Sequence, residues 1–129
     1  MKILPGKGIG AADLGASRDS LRAILGPYRS FRRGNNDVDD FTAAGIQVTY
    51  DSNSSAEYLE AYPPGSGELH GRDLFEMSLA EVKTFLENAG HNVATDDVGL
   101  DLRDIGLGVY APDGSRIEAI SVYGPGYYD

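Results

Sequence analysis

A gapless internal match at an offset of 61 residues constrains the fold of this 129-residue chain more than any other feature. The identical pairs include Ser17 and Ser78, Leu25 and Leu86, Gly45 and Gly106, Val48 and Val109, Glu57 and Glu118, Tyr62 and Tyr123, Pro64 and Pro125, and Gly65 and Gly126. Coincidence between two amphipathic patterns could explain shared apolar positions, but identical glycines, prolines and tyrosines at one constant offset make coincidence a poorer explanation. We therefore predict one domain over 1–129, built from repeat 1 at about 6–66 and repeat 2 at about 67–128.

Each predicted repeat begins with a short helix. Ser17 and Ser78 are the expected N-caps, and Glu81 completes a capping box in the second repeat. Apolar side chains follow at helical spacing: Leu21, Ile24 and Leu25 in one repeat, and Val82, Phe85 and Leu86 in the other. Gly26-Pro27 and Gly90 are the expected stops. Helices this short require tertiary packing to persist.

Two strand-like runs close each repeat. Residues 46–50 and 56–62 flank a turn in the first repeat, and residues 107–111 and 116–123 flank Pro112-Asp113-Gly114-Ser115 in the second. We expect the acidic segments before them, 35–44 and 95–105, to be irregular connections, while 28–33 and 98–103 are weaker strand candidates. The predicted fold is α+β, with two helix–loop–hairpin repeats that form one antiparallel sheet and place both helices on one face.

Strand side chains alternate between two faces, so the runs can be sorted by parity. The apolar set is expected to pack under the helices: Ile46, Val48, Tyr50, Leu59, Ala61, Leu107, Val109, Ala111, Ile120 and Val122. The opposite set, which we call the open face, is half tyrosine: Gln47, Thr49, Tyr58, Glu60, Tyr62, Tyr110, Ser121 and Tyr123. Tyrosine is enriched at protein interfaces, but it is also a good strand former. The tail 124–129 adds two tyrosines that either cap this face or extend it.

Charge is distributed unevenly along the chain. Residues 1–34 have a net charge of +5, whereas residues 35–129 have a net charge of −14. The two acidic connections contain Asp37, Asp39 and Asp40, and Asp96, Asp97, Asp101 and Asp104. Such aspartates are ordinarily solvated surface, but they also suit electrostatic steering toward a basic protein. The same acidity argues against nucleic-acid binding, which requires basic side chains facing phosphates.

Several classes of chemistry find no support in the residues. The absence of cysteine removes disulfides, thiolate metal sites and cysteine nucleophiles. The aspartates lack the calcium-loop pattern, and His70 and His91 are isolated in sequence, so we expect no metal and no cofactor. There is no serine nucleophile motif and no phosphate-binding glycine loop. The N-terminus lacks an apolar stretch of signal-peptide length, so we expect a cytoplasmic protein with no membrane contact.

Two family resemblances concern the repeat unit. The stretch from Leu14-Gly15-Ala16-Ser17 to Leu25-Gly26-Pro27, followed by a hairpin, resembles the helix opening of small outer-membrane assembly lipoproteins. Its tandem doubling is similar to the β-lactamase inhibitory protein family, which implies a two-repeat sheet that grips an enzyme with an aromatic face. The chain also resembles bacterial immunity proteins, small acidic cytoplasmic proteins that neutralise toxins.

These observations predict a non-enzymatic inhibitor, specifically a cytoplasmic immunity protein that binds a basic toxin or enzyme and is itself a monomer or weak dimer. The expected partner-binding residues are Tyr58, Glu60, Tyr62, Tyr110, Tyr123, Asp37, Asp39, Asp40, Asp96, Asp97 and Asp101. Two alternatives stay open at this point. One is a small enzyme with an unrecognised carboxylate site, and the other is an accessory domain that self-associates through its tyrosines.

Overall fold

A computed structural model describes residues 1–128, and Asp129, the last residue of the expected domain, lies outside the described residues. The strands are β1 (Ile3–Leu4), β2 (Gly8–Ile9), β3 (Ala12–Asp13), β4 (Arg29–Arg33), β5 (Asn36–Phe41), β6 (Ile46–Tyr50), β7 (Ala56–Ala61), β8 (Glu68–Leu69), β9 (Arg72–Asp73), β10 (Ala94–Thr95), β11 (Gly99–Leu102), β12 (Leu107–Tyr110) and β13 (Ala119–Tyr123). The helices are α1 (Arg18–Leu25) and α2 (Leu79–Asn88), with a short 3-10 helix at Leu74–Glu76.

Eight strands form the main sheet, in the order β10-β11-β12-β13-β7-β6-β5-β4. Every neighbouring pair is antiparallel, and β13 and β7 lie together at the centre. The strands of each half of the chain therefore run in order from one edge to the centre. The predicted α+β class, with two helices and an antiparallel sheet, is confirmed.

The two acidic segments are not irregular, and that expectation is wrong. Most of the first segment, 35–44, is strand β5, and the second, 95–105, contains β11. Aspartate is a poor strand former in isolation, but pairing with strands on both sides satisfies the backbone of each segment. The weaker strand candidates 28–33 and 98–103 correspond to β4 and β11. The last hairpin is shorter than expected, because β13 begins only at Ala119.

Both helices begin where the caps predict. The Ser17 side chain accepts from the Ser20 backbone N–H, and Ser78 and Glu81 form a complete capping box. Leu21 of α1 and Val82 and Leu86 of α2 are buried in the same apolar cluster as the predicted packing face of the sheet. All ten residues assigned to that face are buried. The opposite parity set therefore lies on the other side of the sheet.

Gly45 and Gly106, which are separated by 61 residues, both occupy tight turns that approach a tyrosine backbone carbonyl. Gly45 and Gly106 both have positive φ, at 70° and 75°. A Cβ on Gly45 would lie 2.5 Å from the Tyr62 carbonyl oxygen, and a Cβ on Gly106 would lie 1.9 Å from that of Tyr123. Any larger residue would clash there and strain the backbone. The close approach explains why the chain has glycine at both positions.

Short strands outside the main sheet complete the core. β1, β2 and β3 form a small antiparallel sheet, and β8 pairs with β9. Ile3 and Ile9 are buried in the main apolar cluster, and β2 lies against the two central strands β7 and β13. These elements leave no signal in the sequence, because a strand of two residues is too short to show a periodicity.

Candidate functional site

The open face of the sheet is divided into two zones. One zone lies near the C-terminal tail and is covered by aromatic rings. The other lies around Glu60, near the C-terminal end of β7, and contains polar groups and a cavity. Of the eight side chains expected on this face, Tyr110 is 46% exposed, whereas Thr49 and Tyr123 are buried and the rest are partly exposed.

The tail caps the first zone. The Tyr58 and Tyr123 rings are stacked, with centroids 5.8 Å apart, on neighbouring central strands. Tyr127 lies 5.4 Å from Tyr58, and Tyr128 meets Tyr123 edge-on at 4.9 Å. The Arg103 guanidinium lies 4.9 Å from the Tyr128 ring centre. Tyr123 is consequently only 1% exposed, so it supports the face from within and does not contact solvent as the parity argument expected.

Two tyrosine–aspartate pairs bracket the open face. The Tyr123 hydroxyl donates to Asp101 Oδ1 at 2.7 Å, and the Tyr62 hydroxyl donates to Asp40. Burial raises the pKa of both tyrosines, and the neighbouring carboxylates raise it further, so both hydroxyls stay protonated. Asp40 lies on β5 and Asp101 lies on β11, the strands that occupy the two segments expected to be irregular acidic connections. Their position brings together the tyrosine and aspartate sets that sequence analysis treated separately.

Glu60 is at the centre of the second zone. Its strand neighbours in register are Gln47 and Ser121, and its side chain is 28% exposed. Burial raises the pKa of Glu60, and Arg33, whose Nη1 is 4.0 Å from Glu60 Oε1, offsets this only in part. Arg33 extends from the edge strand β4 and donates to Gln47 Oε1 at 2.8 Å. A cavity of about 410 Å³ opens beside Glu60.

The first acidic cluster divides between the two faces of the sheet: Asp37 and Asp39 lie on the helix side, and Asp40 lies on the open face with Tyr62. Asp39 is 1% exposed on the helix side, where it accepts from Arg22, Ser30 and Tyr50. Asp37 pairs with Arg18 at 2.8 Å. The hydrogen bond from Arg18 lowers the pKa of Asp37, and the three donors to Asp39 hold its pKa below the ordinary value although burial opposes them. These carboxylates are compensated internally.

The second acidic cluster is more accessible. Asp96 and Asp97 are exposed, and Asp96 Oδ1 accepts from the backbone N–H groups of Val98 and Gly99. A groove of about 780 Å³ runs beside β10 and β11, and its acidic lining residues are Glu87, Asp96, Asp101 and Asp104. Four acidic side chains therefore share one groove at this edge of the sheet, together with the Arg103 side chain.

Several residues of the site have no sequence signal. Arg33 reaches Glu60 across two intervening strands, and Arg103 meets the tail only after folding. His70 and His91, expected to be isolated, have their Nε2 atoms 3.1 Å apart. In residues 1–128 no group of three or more histidine, aspartate or glutamate side chains is arranged to hold a metal ion.

Comparison with protein-family models, curated proteins and solved structures returned no match to this chain. Across residues 1–128, neither helix has the length and apolarity needed to cross a membrane.

Proposed function

We propose that this chain is a protein-binding inhibitor without catalytic activity of its own, and that its partner docks on the open face of the sheet. The observation that carries this proposal is the exposed Tyr110 beside the Glu60 cavity, on the side of the sheet opposite the helix-packed core. Tyrosine and arginine are among the side chains enriched at binding hot spots, and Tyr58, Tyr110 and Arg33 line this cavity.

The stacked tail supports a rigid recognition surface. Tyr58 is fixed between Tyr123 and Tyr127, so a partner that contacts it does not have to immobilise a free side chain. Pre-ordering of this kind reduces the entropic cost of association. Rigid aromatic rings beside an adaptable polar cavity are typical of protein-recognition surfaces.

We propose, more specifically, a bacterial immunity protein that acts in the cytoplasm and neutralises a toxin with a basic surface. The exposed Asp96 and Asp97, at the acidic edge, are suited to accelerating the approach of such a partner. We further propose that the chain arose by duplication, because the sheet order and the matched Gly45 and Gly106 turns relate its halves at the offset of 61. In this account the free protein is a monomer or weak dimer.

Co-expression with the product of the reading frame immediately upstream tests the proposal. We expect the two proteins to co-purify, and Tyr110→Ala to weaken the complex by about thirtyfold. Ile24→Ala is the matched control, because Ile24 is a 57% exposed apolar residue of α1. It should change affinity by less than about twofold.

Other outcomes would favour other functions. Failure to co-purify contradicts the toxin-inhibitor assignment. Loss with Ile24→Ala but not with Tyr110→Ala contradicts the choice of face. Concentration-dependent dimerisation that Tyr110→Ala abolishes, without any partner, would instead favour a self-associating accessory domain. Conversion of an added substrate would favour the enzyme alternative.

A further inference from the structure

Glu60 is a poorly compensated acid in a polar recess. Within residues 1–128 its carboxylate accepts no hydrogen bond, and the Arg33 guanidinium, at 4.0 Å, is too far away to donate one. The acids around it differ: Asp40 accepts from Tyr62, and Glu57 accepts from Asn36 at 2.8 Å. A carboxylate that has lost water without gaining donors is a favourable site for an added cation.

The walls of the recess combine apolar surfaces with polar groups that can contact a long cationic side chain. The cavity beside Glu60 is lined by Arg33, Tyr58, Tyr110, Ala119 and Ser121. Two tyrosines and an alanine provide apolar contact for an aliphatic stem, and the Ser121 hydroxyl provides a further acceptor. The negative faces of aromatic rings also attract a cation. The volume of about 410 Å³ is ample for one long side chain.

We propose that this recess receives one lysine or arginine side chain of the bound protein, with Glu60 as its counter-ion. The inference rests on the proposed function and specifies the chemistry of the partner at the centre of the open face. Arginine and lysine have an apolar stem and a cationic head, which is the combination that the tyrosine walls and the Glu60 carboxylate accommodate.

Arg33 is the internal competitor for this site. Its side chain is 56% exposed, and its guanidinium donates to Gln47 Oε1 at 2.8 Å while it lies 4.0 Å from Glu60 Oε1. An incoming cation is repelled by Arg33 but attracted more strongly by a carboxylate that it can contact directly. Removal of the Arg33 charge should therefore tighten cation binding, whereas an anionic ligand would be weakened by the same change.

Butylguanidinium is a direct probe of the recess, because it reproduces the end of an arginine side chain. Its uncharged isostere, butylurea, is the control ligand. Titration of the isotope-labelled full chain, followed by NMR, should move the Ser121 and Tyr110 amide signals with a dissociation constant of about 10 mM. Butylurea should move them by far less at equal concentration.

Substitutions of Glu60 and Arg33 should change the butylguanidinium affinity in opposite directions. Glu60→Gln, which is nearly isosteric, should weaken butylguanidinium binding at least tenfold, and Arg33→Gln should strengthen it by about threefold. Glu57→Gln is the matched control, because Glu57 lies on the same strand but already accepts from Asn36. It should leave the dissociation constant unchanged. Undisturbed amide spectra verify that each variant is folded.

The pH dependence provides a second readout. Because burial raises the pKa of Glu60, butylguanidinium affinity in the wild type should decrease as pH is lowered from 7 to 4, with Glu60 taking up its proton at a higher pH than an ordinary glutamate does. The residual affinity of Glu60→Gln should not vary over this range. Equal binding of butylurea and butylguanidinium, or stronger binding after Glu60→Gln, would overturn the proposal.

The two proposals fail separately. If butylguanidinium does not bind but Tyr110→Ala still releases the co-purified partner, the basic-side-chain inference is wrong and the open face remains the interface. If butylguanidinium binds as expected but Tyr110→Ala and Glu60→Gln leave the complex intact, the recess binds cations and the proposed function is wrong.

Discussion

The surroundings of Asp39 and Glu60 show how differently one protein treats two partly or fully buried acids. Asp39 lies between the sheet and α1 and accepts from Arg22, Ser30 and Tyr50. Glu60 lies on the opposite face, where its nearest cation is 4.0 Å away. The first carboxylate stabilises the fold and has no capacity left for a partner. The second accepts no hydrogen bond within residues 1–128 and faces the Arg33 guanidinium only at 4.0 Å, so its oxygens can still accept from a partner. Net charge alone does not distinguish them.

The largest expected effect comes from removing the compensated acid. Asp39→Ala leaves Arg22, Ser30 and Tyr50 without their shared acceptor in a site that is 1% exposed. We expect the free energy of unfolding to fall by about 3 kcal/mol, measured by chemical denaturation. Asp97→Ala, at an exposed position, is the control and should cost less than about 0.5 kcal/mol. Similar losses of unfolding free energy for Asp39→Ala and Asp97→Ala would contradict the claim that Asp39 stabilises the fold through its three hydrogen-bond donors.

The same network predicts a pH effect. The folded pKa of Asp39 is lowered, so its stabilisation is present above the unfolded pKa and is lost as pH falls below about 4. The stability difference between wild type and Asp39→Asn should therefore shrink as pH decreases through this range. A difference that stays constant from pH 7 to pH 2 would show that Asp39 stabilises the fold by packing and not by its charge.

The tyrosine–aspartate pairs should have intermediate effects. Tyr123→Phe removes a donor to Asp101 and to the Leu107 carbonyl, at a residue that is 1% exposed. We expect a loss of about 1–2 kcal/mol, measured by thermal or chemical unfolding. Tyr62→Phe should cost less, because Tyr62 is only partly buried. A greater cost at Tyr62 than at Tyr123 would mean that burial does not govern the strength of these pairs.

The smallest expected effect has the opposite sign. The folded pKa of Glu60 is raised, so its ionised form destabilises the fold above that pKa and ceases to do so below the unfolded value. Glu60→Gln should therefore raise the free energy of unfolding by a few tenths of a kcal/mol at pH 7, and this gain should vanish near pH 4. A loss of stability at pH 7 would show that Glu60 is compensated after all.

Local pattern predicted some parts of this molecule and could not predict others. The helix caps at Ser17 and Ser78 and the inward parity of Ile46 and Val48 follow from neighbouring residues alone. The sequence does not predict β5, because aspartate is a poor strand former. This strand forms because its backbone pairs with β4 on one side and β6 on the other. Without a strand there, no parity argument separated Asp39 from Asp40.

The open face shows the same limit. Its membership was predicted from alternation, but the burial of Tyr123 depends on where the tail folds back. Arg33 lies near Glu60 only because its side chain extends from β4 across β5 and β6 in the folded sheet. Neither can be derived from local sequence, because both join residues that are distant along the chain.

Cross-saturation NMR of the labelled chain bound to its co-expressed partner tests the central claim most directly. Irradiation of the partner should attenuate signals on the open face, including the Tyr110, Ser121 and Glu60 amides. Signals of Arg22 and Ile24 on α1 should be unaffected. Attenuation confined to α1, with the open face unchanged, would contradict the account.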